Sequence, residues 1–336
     1  MSAELPAELR AGLVAESGAA SEERLGQSVE RLIEAYRSGR PASAPILASR
    51  VDVAAYAAYR MPATFAAVRS ALGQLAAAYP GFAPRTQLDV GGGTGAAAWA
   101  AADAFPSLTG VTVLDQVGEA LDLGRRLAAR ADAPGLRAAT WQQWQAGSSS
   151  SVALPAAELV TISYVLGELT APAQAELLDR ARRAAGVLLV IEPGTPAGYE
   201  RILQARTTLL KHGLTVAAPC PHQDACPLAP ARGDWCHFAA RVNRSALHRR
   251  LKNAQLGHED EKFSFVAVAP GPALLVPDGR LLRHPQFRKG MVTMQLCRSD
   301  GSAGPEIVSK KHGNLYRTAR DVEWGDAWRS VSSQLT

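Results

Sequence analysis

The first 211 of the 336 residues contain neither cysteine nor histidine. All four cysteines (Cys220, Cys226, Cys236 and Cys297) and all seven histidines, from His212 to His312, lie in the C-terminal part, so thiolate and imidazole chemistry is confined there. No uninterrupted apolar run approaches the ~20 residues that a membrane-spanning helix needs, and no membrane partner is expected. The opening residues, MSAELPAELRAGL, lack the apolar stretch of a signal peptide and the Arg-rich, acid-poor character of a transit peptide, which predicts a cytoplasmic protein. In a reducing compartment, clustered thiols are better explained by metal than by disulfides. Internal repeats are absent, and GSSSS at 147–151 is a short loop, not a boundary.

What is present is the composition of a globular protein, 47% hydrophobic, large enough for one sizeable core and a smaller appendage. The net charge of +5 hides a division: residues 1–200 carry 16 Lys/Arg against 20 Asp/Glu, whereas residues 201–336 carry 20 against 11, or +9. Such asymmetry suggests a polyanion-facing surface, with RNA the obvious candidate.

Leu25, Val29, Leu32, Ile33 and Tyr36 recur at helical spacing behind Ser21, an N-cap candidate, and a second helical stretch from about Leu47 is kinked or restarted at Pro62. From Thr86, short apolar runs alternate with helical segments. QLDVGGG precedes a helix at Ala96–Phe105, VTVLD a helix at Gly118–Ala131, ELVTISY a helix at Pro172–Ala185, and VLLVIEP follows. This alternation predicts a parallel sheet covered by helices. FSFVAVAP, ALLVPDG and VTMQLC read as further strands, while the tail from Gly301 shows no clear period beyond a short helix near its end.

LDVGGGTG at Leu88–Gly95 stands between a strand and a helix, where glycines let the backbone pass close to a ligand and the helix start supplies free N–H groups. The next strand ends in Asp115, followed by Gln116, at the place where a carboxylate can accept ribose hydroxyls. The combination resembles the class I S-adenosylmethionine-dependent methyltransferases over about residues 86–192. The resemblance implies that Asp89, Gly91, Gly92, Gly93, Thr94 and Gly95 hold the amino-acid end of S-adenosylmethionine and Asp115 the ribose. It also implies that Trp141 or neighbours such as Gln142 flank the adenine. TWQQWQ has no acid for the adenine amino group. The fourth strand, SYVLGEL, offers Ser163, Tyr164 and Glu168 near the transferred methyl, but no Asn-Pro-Pro-Tyr or Asp-Pro-Pro-Tyr motif, so no catalytic residue is assigned.

The cysteines follow the pattern C-x5-C-x9-C-x60-C, with three inside PCPHQDACPLAPARGDWC, and read as one four-thiolate metal site. The spacing is looser than the paired knuckles of zinc ribbons and compatible with an iron-sulfur cluster; zinc held by three thiolates and His222 or His237 stays open. Trp235 and Phe238 would shield the site or belong to the core. Further on, RVNRSALHRRLK puts Arg241, Arg244, His248 and Lys252 on one stripe if helical, with Arg249 alongside. Arg288, Lys289, Lys310 and Lys311 extend that patch toward phosphates.

The Cys-rich run, with YRMPATFAAVRSAL, SYVLGEL, VIEPGTPAGYERILQAR and LLRHPQFRKGMVTMQLC, is similar to the mitochondrial small-ribosomal-subunit assembly factors of the methyltransferase-like type and their bacterial relatives, over about residues 45–330. That resemblance implies a class I methyltransferase (Rossmann-like) α/β fold with an N-terminal helical cap and a C-terminal Cys-rich metal-binding module. Cys220, Cys226, Cys236 and Cys297 would ligate a [4Fe-4S] cluster, and the small ribosomal subunit and its rRNA would be the partners. Methyl transfer to RNA is the activity expected, with a catalytically inactive RNA-binding scaffold as the alternative, and the chain is expected to be monomeric. The expected divisions are a helical region at 1–80, a ligand-binding core at 81–200, a Cys/His/Arg-rich insertion at 201–260, closing strands at 261–300 and a basic tail at 301–336.

Overall fold

A computed structural model of the chain describes residues 4–18, 22–37, 49–146, 153–228, 233–244, 249, 256–272 and 275–330. Two compact units are present: Met1–Leu72, Ala83–Leu188 and Ala240–Glu261 form one, and Gly73–Phe82, Leu189–Ala239 and Lys262–Thr336 the other.

The first unit begins with helices α1 (Ala7–Ser17), α2 (Glu22–Arg37) and α3 (Arg50–Ala78). Leu25 and Val29 of α2 pack on Ala55 of α3. Ser49 caps α3 by accepting a bond from the Asp52 N–H at 3.1 Å, and Asp52 in turn pairs with Arg31 of α2 at 2.8 Å. Pro62 lies inside α3, which continues through it. Strand β1 (Thr86–Val90) runs parallel to β2 (Gly110–Asp115) on one side and β4 (Ala157–Ser163) on the other, and β3 (Thr140–Gln143) runs parallel to β2. The parallel order β3-β2-β1-β4 requires crossovers: α4 (Ala96–Ala104) joins β1 to β2, α5 (Gly118–Ala128) and α6 (Pro134–Arg137) join β2 to β3, and α7 (Ala171–Ala184) follows β4. Helix α4 is nearly all alanine and buries Ala96 through Ala101, so it lies close to its neighbours, whereas α5 buries Leu121, Leu123 and Leu127 and ends on Arg125 and Arg126. The expected mixed α/β architecture around parallel strands is thus present.

The segment RVNRSALHRRLK, a basic stripe if helical, does not begin as a helix. Residues 238–243 form strand β7 (Phe238–Asn243), paired with β8 (His258–Ala269). Acids on the facing strand decide this: Arg241 meets Asp260 at 2.9 Å and Arg244 meets Glu259 at 2.8 Å. The basic stripe is therefore not a helical face at its start; His248 and Lys252 lie outside the described residues, and Arg249 is exposed.

In the second unit, residues 189–193 of β5 (Ala185–Pro193), residues 262–269 of β8 and β6 (Thr215–Ala218) follow the order β5-β8-β6, with β6 antiparallel to β8. Helix α8 (Pro196–Lys211) starts at Thr195, whose hydroxyl accepts from the Gly198 N–H. A five-stranded antiparallel sheet comprises β9 (Gly279–Leu281), β10 (Gln286–Arg288), β11 (Met291–Arg298), β12 (Ala303–Ser309) and β13 (Ala327–Trp328). Its order is β10-β11-β9-β13, with β12 on the other edge of β11. Leu281, Val292, Met294, Leu296, Val308 and Trp328 form its core together with Ala319 of α9 (Asn314–Ala319). The strand expected over ALLVPDG is absent among the described residues, where pairing begins only at Gly279, and the tail contains two strands that its pattern did not signal. Among the described residues no helix is long and apolar enough to cross a membrane.

Candidate functional site

The glycine loop leaves β1 by bonding back to β2: the Gly91 and Gly92 N–H groups donate to the Leu114 carbonyl at 2.8 and 3.1 Å. Gly91, Gly93 and Gly95 all adopt positive φ, and Gly95 (φ 84°) is the N-cap of α4. At Gly92 a side chain is excluded for another reason, since a Cβ would stand 2.4 Å from Asp89 Oδ2.

Asp89 is completely buried. Its Oδ1 accepts from the Thr161 hydroxyl at 2.7 Å, which accepts from Gln87 Nε2 at 3.1 Å, while Oδ2 is buried with no hydrogen-bond partner among the described residues. Burial pushes the carboxyl up to about 7 despite the Thr161 bond, and the charge of Asp115 adds to the rise. Asp115 holds the loop: Oδ2 accepts from the Gly93 N–H at 2.8 Å and Oδ1 from the Val117 N–H at 2.9 Å. Its carboxyl is also raised by burial, opposed by these amides. Thr94 is buried, with its hydroxyl 3.5 Å from Met61 Sδ. Trp141 is 8% exposed, and its indole fills the space that side chains at Gly95 and Gly124 would occupy. Gln116 and Gln142 are exposed at the ends of β2 and β3.

At the end of β4, Ser163 Oγ is buried without a partner, and Tyr164 has the left-handed φ of 62°, unusual for a bulky residue. Two residues that the sequence did not single out account for the tyrosine's direction. Its hydroxyl donates to Glu261 Oε1 at 3.1 Å, and Arg60 clamps the same carboxylate at 2.9 and 3.2 Å with its guanidinium 5.6 Å from the tyrosine ring centre. Against burial, Glu261 holds the Arg60 guanidinium firmly protonated. Arg60 and Glu261 are 201 positions apart, so no local pattern joins them. Glu168 is exposed in a single 3-10 turn.

The four cysteines belong to the second unit. Cys220 and Cys226 lie on the loop after β6, Cys236 just before β7, and Cys297 on β11 opposite Arg280 of β9. They are free thiols within electrostatic reach of one another: Cys236 feels Cys220, Cys226 and Cys297, and Cys297 feels Cys220 and Cys226. Burial first, and these neighbours next, push Cys236 well up and Cys297 up to about 12. Around them, the Tyr199 hydroxyl is 3.0 Å from Cys226 Sγ, and His222 Nε2 is 3.3 Å from Cys297 Sγ. Ser264 holds the Cys236 carbonyl at 2.8 Å. Arg206 and Arg280, both 5% exposed, brace the same loops through carbonyls: Arg206 through His222 and Asp224, Arg280 through Pro219 and Gly325. Burial lowers the Arg280 guanidinium to about 10, with the nearby sulfurs and Asp326 opposing. Trp235 stacks on His237 at 5.1 Å and donates to the Gly194 carbonyl, whereas Phe238 is core, packed with Phe263 and Phe265. Among the described residues no three His, Cys, Asp or Glu side chains are grouped as ligands of one metal ion, so the expected metal-binding module is not visible as a formed centre.

Of the remaining basic residues, Arg288, Lys289, Lys310 and Lys311 are exposed. The Lys310 N–H bonds the Gly290 carbonyl at 3.0 Å, so these four share one end of the five-stranded sheet.

Comparison with known proteins gives a family match. The model of "Mitochondrial small ribosomal subunit Rsm22" matches residues 50–329. The human protein named "Ribosome assembly protein METTL17, mitochondrial" is 30% identical, covering 81% of this chain and 61% of the human protein. "Rsm22-cox11 tandem protein 2, mitochondrial" of Schizosaccharomyces pombe is 25% identical, covering 82% of this chain and 43% of that protein. The chain thus spans about half of the length of these relatives. Among solved structures, an O-methyltransferase family protein from Burkholderia thailandensis gives a TM-score of 0.42 at 19% identity, over 56% of this chain and 64% of that one. Precorrin-6y C5,15-methyltransferase from Geobacter metallireducens gives 0.39 at 13% identity, over 60% and 86%. The cytoplasmic location expected from the N-terminal residues is contradicted by the names of the relatives, which point to the mitochondrion. A match running through most of the chain settles the kinship: this protein belongs to the mitochondrial small ribosomal subunit Rsm22 family.

Proposed function

We propose that the protein binds S-adenosylmethionine at the glycine loop and acts on the small ribosomal subunit during its assembly, contacting rRNA through exposed lysines and arginines and carrying a structural [4Fe-4S] cluster on its four cysteines. The observation that carries the ligand reading is the unpartnered, fully buried Asp89 Oδ2 beneath a loop of left-handed glycines: a buried acceptor without a donor is costly, and a ligand ammonium group supplies one. The loop N–H groups and the start of α4 would take the ligand carboxylate, Asp115 the ribose through lone pairs its two amide bonds leave free, and Gln116 or Gln142 the adenine edge. Bound S-adenosylmethionine supplies a sulfonium methyl for in-line displacement. The residues of this chain orient it, with Ser163 and Tyr164 at the end of β4 on the acceptor side.

For the cluster, the support is chemical: four thiols from three segments converge where burial disfavours free thiolates, and a metal removes that cost by taking their protons' place. The assembly role rests on the family, and rRNA contact on the exposed group Arg288, Lys289, Lys310 and Lys311, which has no ion pair among the described residues, since Arg241 and Arg244 are neutralised by Asp260 and Glu259. A second reading, a scaffold without turnover, is favoured by one observation: the Tyr164 hydroxyl, just past the end of β4, is committed to Glu261.

Calorimetry with S-adenosylmethionine, followed by methyl transfer to immature small subunits, tests both. Binding with transfer supports the enzyme, binding without transfer the scaffold, and no binding by the intact protein ends the ligand reading. Iron and sulfide content of anaerobically purified protein tests the cluster, and stoichiometric zinc without iron would replace it.

A further inference from the structure

We infer that Arg206 and Arg280 form a buried pair of positive charges that balances a dianionic metal–tetrathiolate centre, so that the thiol site is built for a net charge of about −2. The inference rests on the metal reading proposed above but does not depend on which metal is bound. Both side chains are 95% removed from solvent, at 5% exposure. Among the described residues neither guanidinium has a carboxylate within 4.0 Å; their hydrogen bonds go to the carbonyls of His222, Asp224, Pro219 and Gly325. Carbonyls satisfy donors but do not cancel charge, and an uncompensated charge in a protein interior is strongly disfavoured. Among the described residues Arg206 Nε has no hydrogen-bond partner of its own. Sulfur outnumbers carboxylate around these cations: Arg280 is the cross-strand neighbour of Cys297 and is influenced by Cys220, Asp326 and Cys236, while Arg206 acts on Cys220.

The arithmetic fits. Four thiolates around a core of charge 2+, whether Zn2+ or an oxidised [4Fe-4S] group, leave two negative charges, and two guanidinium groups cancel them. Neutral thiols would leave Arg206 without a counter-charge within 4.0 Å among the described residues and Arg280 with Asp326 alone, beyond that distance. The alternative is that the arginines are struts, holding the loops at 219–224 and 325 by hydrogen bonds alone.

The two accounts differ in how the arginines and the metal depend on each other. In the full-length protein purified anaerobically, Arg280→Met, Arg206→Met, Arg280→Lys and Arg206→Lys would be compared for iron, sulfide and zinc content and for the rate of metal loss to a chelator. Unfolding by urea would be measured for each before and after stripping. Charge balance predicts metal loss about 10-fold faster or more in the Met variants, near wild-type retention in the Lys variants, and a destabilisation by Met that shrinks or changes sign in the stripped protein. Equal destabilisation of loaded and stripped protein would overturn the inference in favour of struts, as would Lys variants that lose metal as fast as the Met variants. Were the wild type itself to hold neither metal nor sulfide, the metal reading would fail and this inference with it.

Discussion

In the glycine-loop region the groups offered to a ligand are backbone amides and buried carboxylates within two short segments, residues 89–95 and 115–117. In the thiol region they are side chains drawn from Cys220 to Cys297 and from strands and loops between them. The first is held in shape by backbone geometry: three glycines at positive φ, and Asp115 gripping two amides. The second is held by arginine forks, a tyrosine and a histidine reaching to carbonyls and sulfurs. A loop fixed by its own backbone can stand ready without ligand, whereas buried cations and thiols without a counter-ion store an electrostatic cost that a bound group removes. Ligand removal should therefore disturb the second region more than the first.

The largest effect that sharpens this contrast belongs to Asp89. Its folded value, about 7, lies above the ordinary 3.8, so between those limits the folded state holds a proton that the unfolded chain has released. Stability accordingly falls as pH rises through that window and is regained as pH drops to about 4, by at most about 4 kcal/mol. Urea unfolding of ligand-free wild type and Asp89→Asn across pH 4–8 reads this directly. The difference between the two should slope in the stated sense, and a flat difference would show that burial does not raise this carboxyl as described.

Next in size is backbone geometry. Gly95→Ala forces a Cβ to within 2.6 Å of the Trp141 ring at φ 84°, and should cost roughly 2–4 kcal/mol. Part of that cost should disappear when Trp141→Leu is added, because the clash goes and only the left-handed strain remains. In the thiol region Gly233, three residues before Cys236, also has positive φ (76°) but nothing within 4 Å of a Cβ. Gly233→Ala should therefore cost only about 1 kcal/mol. Similar costs at the two glycines would mean that both regions are shaped by backbone alike.

The same contrast explains what the sequence disclosed. Strand, glycine loop, helix and Asp115 follow one another within 30 residues, and each step has a local signature, so β1, α4, β2 and α5 fell close to their expected bounds. Arg60 with Glu261, and Arg206 and Arg280 with the thiols, are meetings that only the tertiary fold makes, and as arginines they count merely as positive charge in a composition. The stripe on RVNRSALHRRLK depends on a helix that the spacing of Arg241 and Arg244 allows, but the acids that pair with these two lie 19 and 15 residues on, and residues 241–243 belong to β7. β12, AGPEIVS, has no apolar alternation and contains Gly304 and Pro305; it is a strand because β11 offers it an edge from Met291 to Cys297. Sequence patterns alone also pointed to one site for the thiols, but gave no sign of the two buried arginines beside them.

The smallest expected effect distinguishes charges on the surface of the two units. On the proposed rRNA reading, each cation that meets a phosphate adds about 0.7–0.9 to the slope of log affinity against log salt. Lys310 and Lys311 are exposed without an ion pair among the described residues, so Lys310→Ala with Lys311→Ala should lower that slope by roughly 1.5 and weaken binding across RNA sequences alike. Arg241 is half exposed but already joined to Asp260 by two bonds, at 2.9 and 3.2 Å. Arg241→Ala should leave the slope nearly unchanged, because a guanidinium that displaces a carboxylate to reach a phosphate releases few additional ions. Fluorescence titration of a small-subunit rRNA fragment at several salt concentrations separates the two: a loss at Arg241 equal to that at the lysines would place the RNA across β7 and β8, and take it away from the end of the five-stranded sheet.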